Sequence, residues 1–215
     1  MTRRLGKRLV FAYDGELFSV IHLMIAGRLH WADAGRKPPG RKPLLEFQFS
    51  TGKLTLTEAG TKRRASLHLV RGEDALAAHD PGGIEPLEID AAAFARALRS
   101  ANHTLKRALT DPHLLSGIGN AYSDEILFEA RLLPLRRRAS LKPAEEEALF
   151  GAIPVVLSRA VEAILANPNY EESKQDRSFM AVHMKGGKTC PRCGHRISQL
   201  GSNREPLNFC RGCQL

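Results

Sequence analysis

Cys190-Pro191-Arg192-Cys193 and Cys210-Arg211-Gly212-Cys213 decide how the end of this 215-residue chain folds, and together they contain every cysteine it has. A tetrahedral zinc ion binds four thiolates at about 2.3 Å. Two C-x-x-C turns joined by a hairpin of this length bring four sulfurs together. The spacing therefore predicts one structural zinc ion held by Cys190, Cys193, Cys210 and Cys213. Two disulfides are the alternative, although no secretory feature accompanies these cysteines.

The composition indicates a protein that has a hydrophobic core and binds a polyanionic partner. Hydrophobic residues make up 43% of the chain, the net charge is +9 and the isoelectric point is about 9.7. This balance favours nucleic acid or an anionic membrane surface. The basic start and the apolar stretch 17–26 imitate a signal peptide, but Asp14, Glu16 and His22 interrupt it. No apolar run approaches the ~20 residues that span a bilayer, so we expect a cytoplasmic, nucleoid-associated protein without a membrane partner.

The first third of the chain has the apolar alternation and turn signals of β-strands. Asp14-Gly15 separates two strands, and Ser50-Thr51-Gly52 separates two more. The sequence predicts strands over 8–13, 16–25, 45–49, 53–57 and 65–70. The sheet then begins abruptly at residue 8, which leaves an unpaired edge.

Helical patterns replace the strands after residue 85. Asp90 and Asn120 are suited to cap helices over 91–99 and 120–130, and 103–110 is a further short helix. Pro143 begins a long helix that ends near residue 166, with a kink expected at Pro154. The fold class is α+β with three domains: a truncated β-sandwich over 1–85, a helical DNA-binding domain over 86–168, and a linker and zinc finger over 169–215.

A glycine turn, Gly117-Ile118-Gly119-Asn120, leads directly into the third helix. Such a turn exposes backbone N–H groups at the positive end of a helix, which suits a phosphate. Lys106, on the preceding helix, supplies a cation for the same phosphate. An ordinary tight turn is the alternative reading of these residues.

Together with the zinc ribbon, this turn resembles the formamidopyrimidine-DNA glycosylase / endonuclease VIII family. The resemblance extends along nearly the whole chain, in the family's order and spacing. The segments that carry it are Arg3-Arg4-Leu5-Gly6-Lys7, His22-Leu23-Met24-Ile25-Ala26-Gly27, Thr104-Leu105-Lys106 through Asn120-Ala121-Tyr122, and Met180-Ala181-Val182-His183 through Cys190. The resemblance implies a β-sandwich, a helix–two-turn–helix domain and a C-terminal zinc finger.

The resemblance also implies a function, which is base-excision DNA repair by a DNA N-glycosylase with abasic-site lyase activity on oxidised bases. Its partner is then double-stranded DNA with a damaged or abasic site, bound by a monomer. Family members use an N-terminal proline and a following glutamate as catalytic groups, and Met1-Thr2 stands at the start of this sequence. A miscalled start, a truncated gene and a genuine non-catalytic derivative are the three explanations. The alternatives are therefore a catalytically inactive, zinc-dependent DNA-binding protein, or a zinc-ribbon protein that binds RNA or protein.

Six residues are the DNA contacts that the resemblance implies. Lys7 matches a lysine near the active site that contacts phosphate; its amine forms a Schiff base with an abasic sugar only if its pKa is depressed. Ile25 matches the wedge that fills the gap left by a flipped nucleotide, while Met24 is either wedge or core. Lys106 and Asn120 belong to the helix–two-turn–helix signature, and Arg204 neighbours the finger's usual arginine position. Arg63 lies in the basic run Lys62-Arg63-Arg64, in the stretch that corresponds to the family's arginine–phenylalanine wedge pair but contains no phenylalanine. With the family fold, this run is expected to follow the DNA backbone, and a solvated charged surface is the alternative.

Overall fold

The computed structural model describes residues 1–36, 42–59, 61–167, 176–202 and 205–215. The chain forms two compact units, of which the first is built on Met1–Asp80 and the second on Pro81–Pro168 with Arg177–Leu215. The boundary lies five residues before the one expected from the sequence. The cysteine segment clusters with the helices because it packs on one of them, so the described contacts give two units where the sequence suggests three.

The first unit begins with a four-stranded antiparallel sheet in the order β1-β2-β3-β7. Its strands are β1 (Thr2–Leu5), β2 (Arg8–Tyr13), β3 (Leu17–His22) and β7 (Ser66–Arg71). The expectation that the sheet begins at residue 8 is wrong. Thr2–Leu5 lacks apolar alternation, but it pairs with β2 from Thr2↔Phe11 to Leu5↔Arg8, so ladder hydrogen bonds make it a strand.

A second sheet of three strands has the order β4-β6-β5. Its strands are β4 (Gly27–Asp33), β5 (Leu45–Gln48) and β6 (Gly52–Glu58). The sequence does not predict β4, and it extends the preceding strand to residue 25. In the structure that strand ends at His22, and residues 24–26 form a turn into β4. Phe11 of β2 meets Phe47 of β5 edge to face at 5.6 Å between ring centroids, so side chains of the two sheets pack together.

The other face of the four-stranded sheet has its own small core. Val10, Phe18 and Val20 are buried there against Leu76 of the short helix α1 (Glu73–Ala77). Because side chains alternate between the faces of a strand, β2 and β3 contribute apolar residues to both sides. These two strands therefore hold the first unit together.

The second unit is organised around four helices. They are α2 (Ala91–Arg99), α3 (Leu105–Thr110), α4 (Asn120–Glu129) and α5 (Pro143–Leu165). Asp90 caps α2 as predicted, since its carboxylate accepts a hydrogen bond of 2.7 Å from the Ala93 N–H. The core of this unit consists of fully buried side chains from all four helices, including Phe94, Leu98, Leu105, Leu109, Ile126, Leu127, Leu149 and Ile153.

The longest helix, α5, is continuous through Pro154. Among the described residues it is the one helix that is long and apolar enough, by length and composition, to cross a membrane. This corrects the expectation that no apolar run approaches that length. The helix contributes five buried residues to the unit and has the acidic Glu145 and Glu146 in its first turn. The buried residues are Leu149, Ala152, Ile153, Val156 and Ala160.

The cysteine segment folds as a small ribbon on α4. Strands β8 (Ser198–Leu200) and β9 (Leu207–Phe209) pair antiparallel from Ser198↔Phe209 to Leu200↔Leu207. Phe128 of α4 lies in one buried cluster with Val182, Ile197 and the two buried cysteines. The ribbon therefore shares its apolar core with α4. Taken together, the sheets, the helices and the ribbon confirm the predicted α+β fold class.

Candidate nucleic-acid interface

Four cysteine sulfurs meet at the open end of the β8–β9 hairpin. The Sγ atoms of Cys190, Cys193, Cys210 and Cys213 all lie within 4.8 Å of one another. The Cys190–Cys213 and Cys193–Cys210 separations are 3.7 and 3.4 Å, and none of the four is in a disulfide. A regular tetrahedron with arms of about 2.3 Å has corners about 3.8 Å apart. The residues fit one tetrahedral metal ion, and the geometry does not support the disulfide alternative.

The surroundings of the sulfurs suit a cation. Burial raises the pKa of Cys190, but hydrogen bonds from the backbone N–H groups of Arg192 and Cys193 outweigh it and lower the value to about 7. Burial, followed by the neighbouring sulfurs, raises the pKa of Cys210 and Cys213. Thiolates are the metal-binding form of cysteine. Only a bound cation at the centre relieves the cost of keeping all four charged in so small a volume.

Gly212 makes the second C-x-x-C turn possible. A Cβ atom at this position would lie 2.6 Å from the Nδ1 atom of His195 and 3.0 Å from the sulfur of Cys193. Any larger residue would push the two turns apart. Gly212 is therefore a packing requirement of the candidate metal site.

Three turns of the first unit emerge at the same end of its sheets. The β1–β2 turn follows the pair Leu5↔Arg8, the turn after β3 follows Arg8↔His22, and the loop into β7 precedes His22↔Ser66. These turns carry four residues that the sequence selects as candidates for DNA contact, which we call the sheet-end cluster: Lys7, Met24, Ile25 and Arg63. The register thus brings together residues that are far apart in the chain.

Lys7 lies in the β1–β2 turn as an exposed residue among other basic groups. Neighbouring atoms withdraw part of the solvation of its ammonium, which lowers its pKa. Burial, Arg8 and Lys7 together lower the pKa of His22. Basic groups clustered in this way favour an anionic partner.

Met24 and Ile25 form an exposed apolar tip. They are 42% and 66% exposed, so the reading of Met24 as a core residue is wrong. Both residues lie in a turn, with Met24 in the left-handed region at φ 53°. The alternation that places neighbouring strand residues on opposite faces of a sheet therefore does not apply to them. The Arg28 guanidinium donates to the carbonyl oxygens of Ile25 and Gly27 at 3.2 and 2.6 Å, which braces the tip.

Arg63 lies in the loop that leads into β7, and its side chain is exposed. The carboxylate of Glu58 fixes the end of this loop. It accepts hydrogen bonds from the backbone N–H groups of Arg64 at 2.9 Å and Ala65 at 3.1 Å. The loop therefore has a fixed base and presents its basic side chains outward.

The glycine turn of the second unit has a different arrangement from the one the sequence predicts. Gly117 occupies the left-handed region at φ 82°, and Gly119, with no side chain, is the N-cap of α4. Asn120 is the first residue of the helix, so its predicted capping role is wrong. Its Nδ2 atom instead donates to the carbonyl oxygen of Pro206 at 3.0 Å, which ties the turn to the ribbon.

Lys106 lies against the same turn, but its charge is already paired. Its Nζ atom donates to Asp124 Oδ1 at 2.5 Å and to the carbonyl oxygen of Asn120 at 2.6 Å. Its side chain is 12% exposed and that of Asp124 is fully buried. Burial lowers the pKa of Lys106, and the attraction of Asp124 opposes this. A direct phosphate contact by Lys106 stays a prediction, and at most one of its three N–H groups is left for it.

Sequence reasoning missed three charged or polar residues at this site: Asp124, Glu125 and His183. Asp124 Oδ2 accepts hydrogen bonds from His183 Nδ1 at 2.8 Å and from the Asn208 N–H at 3.2 Å. The sequence carries no local signal for them, because α4 also contains Asn120, Ser123 and Glu129 and the acidic pair does not stand out. Arg204, the predicted finger contact, lies outside the described residues.

Comparison with known proteins identifies the family. Residues 83–167 match the family model described as "Formamidopyrimidine-DNA glycosylase H2TH domain". A formamidopyrimidine-DNA glycosylase of Desulfitobacterium hafniense is 32% identical over 226 residues, which cover 99% of this chain and 80% of that protein. The chain belongs to the formamidopyrimidine-DNA glycosylase / endonuclease VIII family. A second glycosylase of this name, from Symbiobacterium thermophilum, is 33% identical over 98% of the chain and 71% of its own length.

Solved structures of family members have the same fold. A structure of MutM in complex with DNA containing carbocyclic 8-oxo-G matches with a TM-score of 0.84 at 25% identity, over 99% of this chain and 80% of that one. A complex of Lactococcus lactis Fpg with DNA containing an abasic site matches with the same TM-score at 23% identity and the same coverage, which supports the fold. The family resemblance noted from the sequence motifs is thereby confirmed.

Proposed function

We propose that this protein acts in base-excision DNA repair as a DNA glycosylase of its family and binds duplex DNA at damaged or abasic sites. The observation that carries the proposal is the match, at 32% identity over 99% of the chain, to a protein named formamidopyrimidine-DNA glycosylase. The exposed basic and apolar residues at one end of the sheets support it. Oxidised bases are the substrate class that we propose with it.

The sheet-end cluster has the two components that recognition of a flipped nucleotide requires. Lys7 and Arg63 offer cations for phosphates, which supply most of the affinity for DNA. Ile25 and Met24 offer an exposed apolar tip for the space that an extruded nucleotide leaves, where lost stacking costs a few kcal/mol. We propose Ile25, the more exposed of the two, as the wedge.

In the second unit, we propose that Asn120 and the ribbon contact the DNA backbone. The four cysteines are proposed to hold one structural zinc ion, which staples the two C-x-x-C turns and contributes no chemistry of its own. Arg204 stays the proposed finger arginine. Elemental analysis of the purified protein tests the metal, and an ion other than zinc, or none, would contradict this assignment.

Equilibrium binding to three duplexes tests the central proposal. The duplexes are identical except for one central position, which holds a normal base, an oxidised base or a tetrahydrofuran abasic analogue. We expect at least about tenfold tighter binding to the modified duplexes, a threshold set below the roughly 10³–10⁷ that usually separates specific from non-specific affinity. We also expect affinity to fall with salt, by about 0.9 logarithmic units per tenfold salt for each phosphate contacted. Equal affinity for all three would favour the RNA- or protein-binding alternative.

A lyase reaction at Lys7 is a second candidate activity, and the lowered pKa of this amine favours it. The neutral amine adds to the C1′ aldehyde of an abasic sugar and loses water to form an iminium ion. Solvent water takes a C2′ proton to give the enamine, which re-forms the iminium ion as the C3′–O bond breaks and the 3′-phosphate leaves.

Borohydride trapping on abasic DNA separates binding from this chemistry. A covalent adduct that Lys7→Ala abolishes would establish Lys7 as the amine, and an adduct that survives the change would exclude it. No adduct, with binding retained, would support the non-catalytic alternative. Lys53→Ala is the matched control, because Lys53 lies near the opposite end of its sheet and pairs with Glu46 at 3.3 Å.

A further inference from the structure

A buried carboxylate on α4 connects three separate segments of the second unit. Asp124 is completely buried, and both of its oxygens are used. Oδ1 accepts from Lys106 of α3, while Oδ2 accepts from His183, which precedes the ribbon, and from the backbone of Asn208 in β9. Since an ionised carboxylate only accepts hydrogen bonds, His183 Nδ1 carries a proton. One side chain thus holds α3, the segment before the ribbon and a ribbon strand.

The glycine turn is attached to the same group. Lys106, the cation paired with Asp124, also donates to the carbonyl oxygen of Asn120. Asn120 in turn donates through its side chain to Pro206 in the ribbon. The turn and the ribbon are therefore connected twice, directly by Asn120 and through the Lys106–Asp124 pair.

The neighbouring acid fixes the approach to the ribbon. Both carboxylate oxygens of Glu125 accept backbone hydrogen bonds of 2.8 Å, from the N–H groups of Ala181, Val182 and His183. This arrangement delivers the His183 ring to Asp124 in a fixed position. Asn208 adds a further link, because its Oδ1 accepts from the Met184 N–H at 2.9 Å.

We propose that Asp124 is a positioning residue that holds the glycine turn and the ribbon in one arrangement, so that their DNA contacts are presented together. The inference rests on the proposed function, in which Asn120 and the ribbon both reach the DNA backbone. Asp124 itself, being buried, touches no ligand. It acts through Lys106 on the turn and through His183 and Asn208 on the ribbon.

The energetics of buried ion pairs separate positioning from simple stability. Removing one partner of such a pair leaves an uncompensated buried charge and destabilises the fold. Replacing both partners by apolar residues of similar volume is often neutral or stabilising. The double variant Lys106→Met/Asp124→Leu is therefore expected to fold and to keep its four metal-binding cysteines, while the links to His183, Asn208 and the Asn120 carbonyl are lost.

The test compares melting temperature, zinc content and affinity for the tetrahydrofuran duplex in the wild type and this double variant. We expect one zinc ion per chain and a lower melting temperature, because the buried His183 Nδ1–H and Asn208 N–H lose their acceptor. Binding should be about tenfold weaker, a typical size for coupling between sites. Binding within twofold of wild type would overturn the proposal, because Asp124 would then only fill space. Glu146→Gln is the matched control: it weakens the Arg99–Glu146 pair of 2.7 Å, which joins α2 and α5.

Two further measurements do not depend on the double variant, which removes the Lys106 charge together with Asp124. His183→Ala leaves the Lys106–Asp124 pair intact and removes one ribbon link, so a smaller loss of affinity with unchanged zinc content is expected. Binding equal to wild type would count against the proposal. Hydrogen exchange without DNA is the second measurement: removing zinc from the wild type should accelerate exchange at residues 120–124, and unchanged exchange there would overturn the coupling.

The exchange measurement also separates this proposal from the proposed function. If wild-type protein binds no modified duplex, the DNA-repair proposal fails, but exchange still reports whether the ribbon and the turn are coupled. If wild type binds and the exchange of residues 120–124 ignores the metal, only the role of Asp124 fails.

Discussion

The sheet-end cluster and the network around Asp124 use lysine in opposite ways. Lys7 is exposed and lies among basic groups, whereas Lys106 is largely buried and bonded to a carboxylate and a carbonyl oxygen. The first arrangement leaves a charge available to an outside anion. In the second arrangement the charge is paired inside the fold, where it holds segments of the chain together. Both lysines belong to sequence motifs that carry the family resemblance. Removing Lys106 should nevertheless destabilise the fold, whereas removing Lys7 should leave stability almost unchanged.

Removing the metal should have the largest effect, and this effect should be confined to the ribbon and the network around Asp124. Structural zinc sites contribute apparent free energies of about 10–16 kcal/mol at neutral pH. We expect Cys210→Ser, or a chelator, to unfold the ribbon and weaken DNA binding while the sheets keep their circular-dichroism signal. Hydrogen exchange resolves the two units. Ribbon amides that stay protected after the metal is removed would contradict a structural site.

Exchanging the two lysines for methionine tests the comparison directly. Lys106→Met leaves the buried Asp124 without its charged partner, and breaking a buried pair costs about 3–5 kcal/mol of unfolding free energy. Lys7→Met changes an exposed residue and should alter stability by no more than about 0.5 kcal/mol. Urea denaturation of both variants measures the difference. Equal losses would mean that Lys106 is not paired as described.

Asn120→Ala should have an intermediate effect, and on DNA affinity more than on stability. We expect a loss of about 1–3 kcal/mol in binding, the range for a well-placed hydrogen bond whose partner is left unsatisfied. Titration of the abasic-analogue duplex at fixed salt provides the measurement, with Asn102→Ala, an exposed amide in the same unit, as the control. Unchanged affinity would remove Asn120 from the proposed interface.

The smallest effect concerns a partly exposed ion pair, which sharpens the contrast with the buried one. Hydrogen bonds from the Arg136 guanidinium, and then from the Lys142 N–H, lower the pKa of Glu145 from 4.5 to about 2. Because the folded value is depressed, the pair stabilises the protein above pH 4.5, and this contribution disappears as the pH falls towards 2. We expect about 1 kcal/mol. Glu145→Gln should flatten the stability profile in that window, and an unchanged profile would exclude the pair.

Local patterns explain which parts of the fold were predictable. Asp90 and the apolar stripe after it specify α2 within a few residues, so its bounds and cap are confirmed. β1 and β4 were missed because neither alternates clearly, and both become strands by pairing with neighbours. A single sequence does not contain this information in local form.

The same limit applies to the site. The cysteine spacing is a local pattern, and the four sulfurs meet as predicted. The Asp124 network depends on partners 59 and 84 residues further along the chain, His183 and Asn208. Acidic residues in a helix are usually exposed, so nothing near Asp124 indicates that it is buried. The fold decides whether a charge faces solvent or a partner.

The seating of the ribbon on α4 has a practical consequence for engineering. Asn120, Asp124 and Glu125 contact the ribbon or its approach from fixed angular positions on one helix. Inserting a single residue between Asn120 and Asp124 would rotate Asp124 and Glu125 by about 100° relative to Asn120. Transplanting the finger alone between relatives should therefore fail. A working chimaera must carry the helix and the finger as one cassette, with the spacing inside that cassette unchanged.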